Sequence, residues 1–225
     1  MKPALIFDMD GVLVDSMHLH VAAWEMAFSE AGIHISPESI YELEGSNDRG
    51  IVEKMLSDKG LSGSFESFSS IAARKQTLFN IVDVKPFPGI NECLESLSRN
   101  YLLAVVSGSD RNAVNAILGR HFHVHFDVVV SGDDIVNGKP CPDPYLKALE
   151  YLGTDPEKCI VFENAPYGVE AAKMAGIYCI GIPTYVDPQL LGMADKVLVD
   201  HLSLLAYLHH LVDCMPQGPF PLIFS

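Results

Sequence analysis

The sequence is poor in positive charge. Fifteen lysines and arginines stand against 29 aspartates and glutamates, for a formal net charge of −14. Such a field repels a nucleic-acid backbone and an anionic membrane surface alike. It also repels a phosphorylated small molecule, so a site for one needs a local cation or a fixed lysine. No Cys-x-x-Cys pair occurs. The five cysteines, at 93, 141, 159, 179 and 214, are scattered and odd in number, a pattern read as reduced thiols in a cytoplasmic protein. No apolar run is long enough to span a bilayer. The short one after Met1-Lys2-Pro3 is broken at Asp8, too soon for a signal peptide. Internal repeats and low-complexity stretches are missing too. What is present is 225 residues, 48% of them hydrophobic, enough for one large domain or for a domain with an insert.

The stretch from Leu5 to Ser16 organises the rest. Ala4 to Phe7 is apolar without a helical period and reads as a buried strand. Asp8 and Asp10 follow at its C-terminal end, two apart, so on extended backbone their side chains point the same way. Carboxylates so placed repel each other unless a cation or a shared proton intervenes. Hard oxygens at such a spot suit Mg²⁺, and Gly11 lets the chain turn where a β-carbon would crowd them.

Four helices are expected next. The first runs from a Ser16 cap to Ala31, with Gly32 at its C-terminus; the second opens at Ser36-Pro37 and reaches about Leu43. The third is Asn47 to Lys59 and the fourth Phe65 to about Val82. A helical block between strands of an alternating pattern predicts an inserted subdomain over 16–82, with a core of 1–15 and 83–225. Val12–Asp15 and Asp83–Pro88 would be its hinges. From Pro88 onward strands at Leu102–Val106, Phe126–Val130, Cys159–Phe162, Ile177–Ile180 and Lys196–Val199 alternate with helices. The predicted fold class is therefore α/β, a doubly wound parallel sheet of Rossmann-like type with an inserted α-helical cap. In such sheets a ligand sits beyond the strand C-termini, where Asp8 and Asp10 lie.

Three further polar clusters fall at predicted strand ends. Ser107-Gly108-Ser109 offers hydroxyls and backbone N–H groups ahead of a helix, which can hold a phosphoryl oxygen or simply cap the helix. Lys139, between Gly138 and Pro140, can neutralise a carboxylate and a phosphate together, or be a solvated surface lysine. Glu163 and Asn164 offer oxygens suited to Mg²⁺, or an ordinary capping turn. Each is modest alone; all four at ends of parallel strands are hard to obtain by chance. Elsewhere, His121, His123 and His125 alternate and read as a partly solvated loop rather than a metal site. His209 and His210 read as helix surface, and Cys141 as a buried, inert thiol.

These four motifs, Asp8-Met-Asp-Gly-Val, Val106-Ser-Gly-Ser, Gly138-Lys-Pro-x-Pro and Phe162-Glu-Asn with its following glycine and alanines, resemble those of the haloacid dehalogenase superfamily in order and wide spacing. The inserted helices resemble the small cap of the subgroup that holds β-phosphoglucomutase and small sugar-phosphate phosphatases. The resemblance implies that Asp8 attacks phosphorus and that Asp10 acts as acid and base. It implies Mg²⁺ between Asp8, Asp10 and the Glu163/Asn164 loop, with Ser107 and Gly108 at the phosphoryl oxygens and Lys139 as counter-charge. Dehalogenase members lack the second aspartate, so Asp10 argues for phosphoryl transfer. Asn164 departs from the family's usual acidic residue and predicts weaker Mg²⁺ binding. His20, Trp24 and Lys75 look like cap residues of the mutase, with His20, Lys75 and Arg49 as candidate substrate contacts. Asp48, however, stands where the mutase has its phosphate-binding arginine, and Arg49 comes one step late. The expectation is a Mg²⁺-dependent phosphatase of a small phosphorylated metabolite, with a phosphosugar mutase as alternative and a non-catalytic binder behind it. It would be cytoplasmic, a monomer or weak dimer, with no nucleic-acid or membrane partner. The proline-rich tail from Pro216 would pack on the core or meet a partner.

Overall fold

The computed structural model describes residues 2–61 and 65–213, the side chains of 65–67 excepted; the tail from Pro216 lies outside them. In chain order the elements are β1 (Ala4–Phe7), β2 (Val14–Asp15), α1 (Met17–Glu30), α2 (Pro37–Tyr41), α3 (Asp48–Asp58), α4 (Phe65–Leu78), β3 (Lys85–Pro86), α5 (Ile90–Leu97) and β4 (Leu102–Val106). They continue with α6 (Arg111–His121), β5 (Val128–Val130), α7 (Asp143–Leu152), β6 (Cys159–Glu163), α8 (Pro166–Met174), β7 (Tyr178–Gly181), β8 (Lys196–Val197) and α9 (His201–Asp213). Six strands form one parallel sheet in the order β5-β4-β1-β6-β7-β8. The α/β class and the parallel sheet are as the alternating pattern predicts.

β1 is central, paired with β4 on one side and β6 on the other, and all four of its residues are buried. Its side chains alternate between two layers. Leu5 and Phe7 join the core under α5, α6 and α9, while Ala4 and Ile6 join the core under α7 and α8. Burial on both faces explains a continuous apolar run in place of apolar–polar alternation. Each such Leu, Ile or Phe contributes about 1.5–3 kcal/mol on burial. In α8, Ala171 and Ala172 are fully buried, so this helix lies close on the sheet.

Helices α1–α4 carry an apolar cluster of their own, with Trp24, Phe28, Val52 and Leu56 at its centre. The two segments expected as hinges pair with each other: β2 and β3 form a two-stranded antiparallel ladder, Val14 to Pro86 and Asp15 to Lys85. Periodicity does not reveal a two-residue pairing between segments 70 residues apart. Element ends shift for local reasons. α4 stops at Leu78 because the Asn80 side chain caps a separate turn over Ile81–Asp83. α5 starts at Ile90, not Pro88, because Gly89 sits at φ 83°. Cys141 is exposed, contrary to expectation. His123 and His125 lie in a loop, and among the described residues no three His, Cys, Asp or Glu side chains converge as a metal site. No helix among the described residues is long and apolar enough to cross a membrane.

Candidate active site

The C-terminal end of β1 delivers Asp8 and Asp10 into the crevice where strand order reverses. The Asp8 N–H still donates to the Phe162 carbonyl at 3.0 Å, so its backbone is fixed by the sheet. Lys139 arrives from the loop after β5. Its Nζ donates to Asp8 Oδ1 at 2.5 Å, to Glu163 Oε1 at 2.6 Å and to the Val106 carbonyl at 3.2 Å. Burial opposes the charge on Lys139, but Asp8 and Glu163 outweigh it and hold the ammonium above its ordinary pKa. Burial raises Asp8 well above the carboxylate range; Lys139 pulls it down, and Glu163 and Asp10 push it up again.

Asp10 is held by four side chains. Ser16 Oγ donates to Oδ1 at 2.5 Å and His20 Nε2 lies 3.0 Å from the same oxygen; Ser107 and Ser109 donate to Oδ2 at 3.2 and 3.0 Å. Burial alone would raise this carboxyl, but His20 and then the Ser16 and Ser109 hydroxyls reverse that and leave it below the ordinary range. Ser16 therefore makes no side-chain cap on α1; its hydroxyl is spent on Asp10. His20 comes from α1 and stacks on Phe79 at 4.0 Å, so Asp10 is gripped from both the cap helices and the sheet.

Over these groups lies a cleft between the sheet end and the helical insert. Asp8, Asp10, Gly108 and Ser109 line it from the sheet side, and His20, Trp24, Glu44 and Asp48 from the helical side. The cap loop rests directly on the core: a β-carbon at Gly108 would lie 2.4 Å from the Ser46 carbonyl oxygen. Similarly, one at Gly168 would lie 1.7 Å from Glu163 Oε1, so the α8 glycine is what lets Glu163 fold beneath Lys139.

A haloacid dehalogenase-like hydrolase model matches residues 5–182. The chain belongs to that family. A phosphorylated carbohydrates phosphatase of Thermotoga maritima is 35% identical over 77% of this chain and 82% of its own length. A phosphoglycolate phosphatase of Aquifex aeolicus is 36% identical over 76% and 80%. Among solved structures, a β-phosphoglucomutase from Clostridium difficile superposes with a TM-score of 0.80 at 25% identity, covering 95% of this chain and 98% of that one.

Within this family member several expected site residues sit differently from the sequence reading. Glu163, expected as a metal ligand, spends all its acceptor positions on protein donors. Lys139 and the Tyr145 hydroxyl, at 2.6 and 2.8 Å, take Oε1; the Asn164 and Ala165 N–H groups, at 2.9 and 3.1 Å, take Oε2. A carboxylate has about four lone-pair sites, so Glu163 is a holder of Lys139 and of the following turn rather than an open oxygen. Ser107 turns its hydroxyl to Asp10 and accepts the Ser109 N–H at 3.1 Å; Gly108 and Ser109, not Ser107, line the cleft. Arg49 is half exposed, donates to Glu53 at 3.2 Å and does not line the cleft. A helix-start position one residue late turns a side chain by roughly 100°, which puts Arg49 outside. Lys75 is buried, but its Nζ pairs with Asp48 at 3.3 Å and sits over the Trp24 ring at 5.2 Å. Asp48, not Lys75, faces the cleft.

Asn164 and Glu44 form the remaining contact. Asn164 Nδ2 donates to Glu44 Oε1 at 2.5 Å, while Asn164 Oδ1 and Glu44 Oε2 are buried without any hydrogen-bond partner. Burial pushes the Glu44 carboxyl well up; the Asn164 bond lowers it, and Asp8, Glu163 and Asp10 raise it. An orphaned, fully buried carbonyl oxygen on a side chain packed against the Gly11 turn suits a small hard cation, which accepts neutral and charged oxygens alike. Sequence reading assigned no role to Tyr145 or Glu44. Tyr145 had a signal, since it lies six residues after the motif lysine, Lys139. Glu44 had none, because its contact crosses from the helical insert to the far end of β6.

Proposed function

We propose that this chain is a Mg²⁺-dependent phosphatase acting on a small phosphorylated metabolite, a sugar phosphate in the first place, through an aspartyl phosphate on Asp8. The observation that carries the reading is the pairing of two differently treated aspartates at one strand end. Asp8 has one oxygen on Lys139 and faces the cleft. Asp10 is gripped by hydroxyls and a histidine that can pass protons. The phosphatase names of the two bacterial relatives support the reaction class.

The Asp8 carboxylate attacks phosphorus, and the bond from phosphorus to the leaving alcohol oxygen breaks. Asp10 gives that oxygen a proton, then takes one from the water that attacks the aspartyl phosphate, releasing phosphate and restoring Asp8. Asp10 is held ionised at rest, so His20 at 3.0 Å is the group placed to hand it the first proton. Lys139 offsets the charge of Asp8 as the anionic substrate enters, and the bare backbone at Gly108 receives phosphoryl oxygens. Mg²⁺ would be held by the Asp8 carboxylate, the Asp10 backbone carbonyl and the Asn164 side-chain oxygen, and would supply positive charge against the transferring phosphoryl group.

A mutase reading has one observation in its favour, the His20 bridge from the helical insert to Asp10. Against it, Lys75 is already neutralised by Asp48, so a second phosphate would have to displace a carboxylate already paired with it. The test is phosphate release from a panel of sugar phosphates with and without Mg²⁺. The reading expects Mg²⁺-dependent release that Asp8→Asn abolishes. Interconversion of hexose 1- and 6-phosphates without release would select the mutase, and release by Asp8→Asn at the wild-type rate would overturn both.

A further inference from the structure

The sequence leaves the metal site one carboxylate short, because Asn164 is neutral. The structure brings a carboxylate to Asn164 from elsewhere. Glu44, in the loop between α2 and α3, is 4% exposed and hydrogen-bonded to Asn164 Nδ2 at 2.5 Å. Two side-chain oxygens of this pair, Asn164 Oδ1 and Glu44 Oε2, are buried and unpartnered. Both side chains fill the space that Gly11 leaves open: with φ at 88°, a β-carbon there would lie 2.1 Å from Asn164 Nδ2 and 3.0 Å from Glu44 Oε1. Gly11 directly follows Asp10, so the pair lies against the acidic turn itself.

Among the described residues no protein cation meets Glu44. Lys139, the buried lysine of the core site, is taken by Asp8 and Glu163. A buried carboxylate that receives one bond from a neutral amide is costly, and in native proteins such groups are paired or coordinate a metal. The turn that carries it is also shaped for the purpose: Gly45 has φ at 89°, and a β-carbon there would touch the Lys139 side chain at 3.4 Å.

We infer that Glu44 is a metal ligand delivered by the helical cap, replacing the acidic group that position 164 lacks, so that cation binding and seating of the cap loop are one event. This rests on the Mg²⁺-phosphatase reading above. It reverses one expectation drawn from sequence: Asn164→Asp does not tighten binding, because it sets a second carboxylate against Glu44.

The test uses the full chain and Mn²⁺ alone, with bound metal counted by electron paramagnetic resonance and loop seating read by amide hydrogen exchange over residues 43–47. Glu44→Gln is expected to lose about 10–100-fold in Mn²⁺ affinity. Glu44→Gln combined with Asn164→Asp, which moves the carboxylate from cap to core, is expected to recover binding. Mn²⁺ should slow exchange over 43–47 in the wild type but not in that double variant, which separates a ligand from a residue that merely supports the fold. Wild-type affinity in Glu44→Gln, with binding lost in Asp8→Asn, overturns the role of Glu44 alone. A wild type that takes up no Mn²⁺ overturns it together with the phosphatase reading.

Discussion

Two lysines in this molecule are almost wholly buried, and they are treated in opposite ways. Lys139, in the core site, serves two carboxylates, Asp8 and Glu163, so one lysine leaves a negative charge over. Lys75, in the helical insert, meets one carboxylate, Asp48, and is roofed by the rings of Trp24 and Phe79 at 5.2 and 5.6 Å. The first cluster is under-neutralised, and the Glu44–Asn164 pair at the same cleft keeps two buried oxygens without partners. The second is balanced and closed. A site meant to receive a cation and an anion in turn must be left electrostatically unfinished; a site meant to hold helices together need not be. The difference teaches that burial of a charge does not by itself mark chemistry. The residual imbalance does.

The comparison is most open to attack at its lysines. Lys139→Met leaves two buried carboxylates without a cation. It is expected to cost about 3–5 kcal/mol in urea unfolding and, where the protein still folds, about 10²–10³-fold in kcat. Asp10→Asn tests the acidic side. Four donors lose a charged acceptor, so at neutral pH the variant is expected to be less stable by about 1–3 kcal/mol. The folded-state pKa of Asp10 lies below its ordinary value. Its contribution is therefore fully present above the unfolded value of about 3.9 and is lost as pH falls through the folded value. The gap in urea midpoint between wild type and Asp10→Asn should shrink from about pH 5 down to about pH 2; a constant gap would deny the shift.

Lys75→Met is the counterpart in the insert. Its hydrocarbon stem is already packed and its partner Asp48 is nearer solvent, so a loss of about 1–2 kcal/mol is expected, with kcat on a compact phosphate ester unchanged. A fall in kcat equal to that of Lys139→Met would erase the distinction between the two clusters. Smallest of all is Arg49→Ala. The guanidinium is half exposed and paired along its own helix with Glu53, so stability should stay within about 0.5 kcal/mol and kcat/KM should not move.

How much of this was legible beforehand follows the reach of each interaction. The six parallel strands and their order of appearance were readable, because β1, β4 and β6 are buried on both faces and leave unbroken apolar runs. Asp8 was readable because it ends an unbroken apolar run, and Asp10 and Lys139 because each sits beside a glycine or proline. The fate of individual acceptors was not. That Glu163 would be saturated by Lys139, Tyr145 and two backbone N–H groups, or that Ser16 would leave its helix cap for Asp10, depends on contacts across the sheet. The β2–β3 ladder and the Glu44–Asn164 contact join segments 70 and more residues apart, beyond any periodicity.

The claim on which the account turns is that phosphate passes through Asp8. Asp10→Asn, unable to activate water, should be phosphorylated by acetyl phosphate in the presence of Mg²⁺ and hold the group. Acid quenching, borohydride reduction and peptide mapping should then find homoserine at position 8. Homoserine at another position, or none in a variant whose wild type hydrolyses acetyl phosphate, would contradict it.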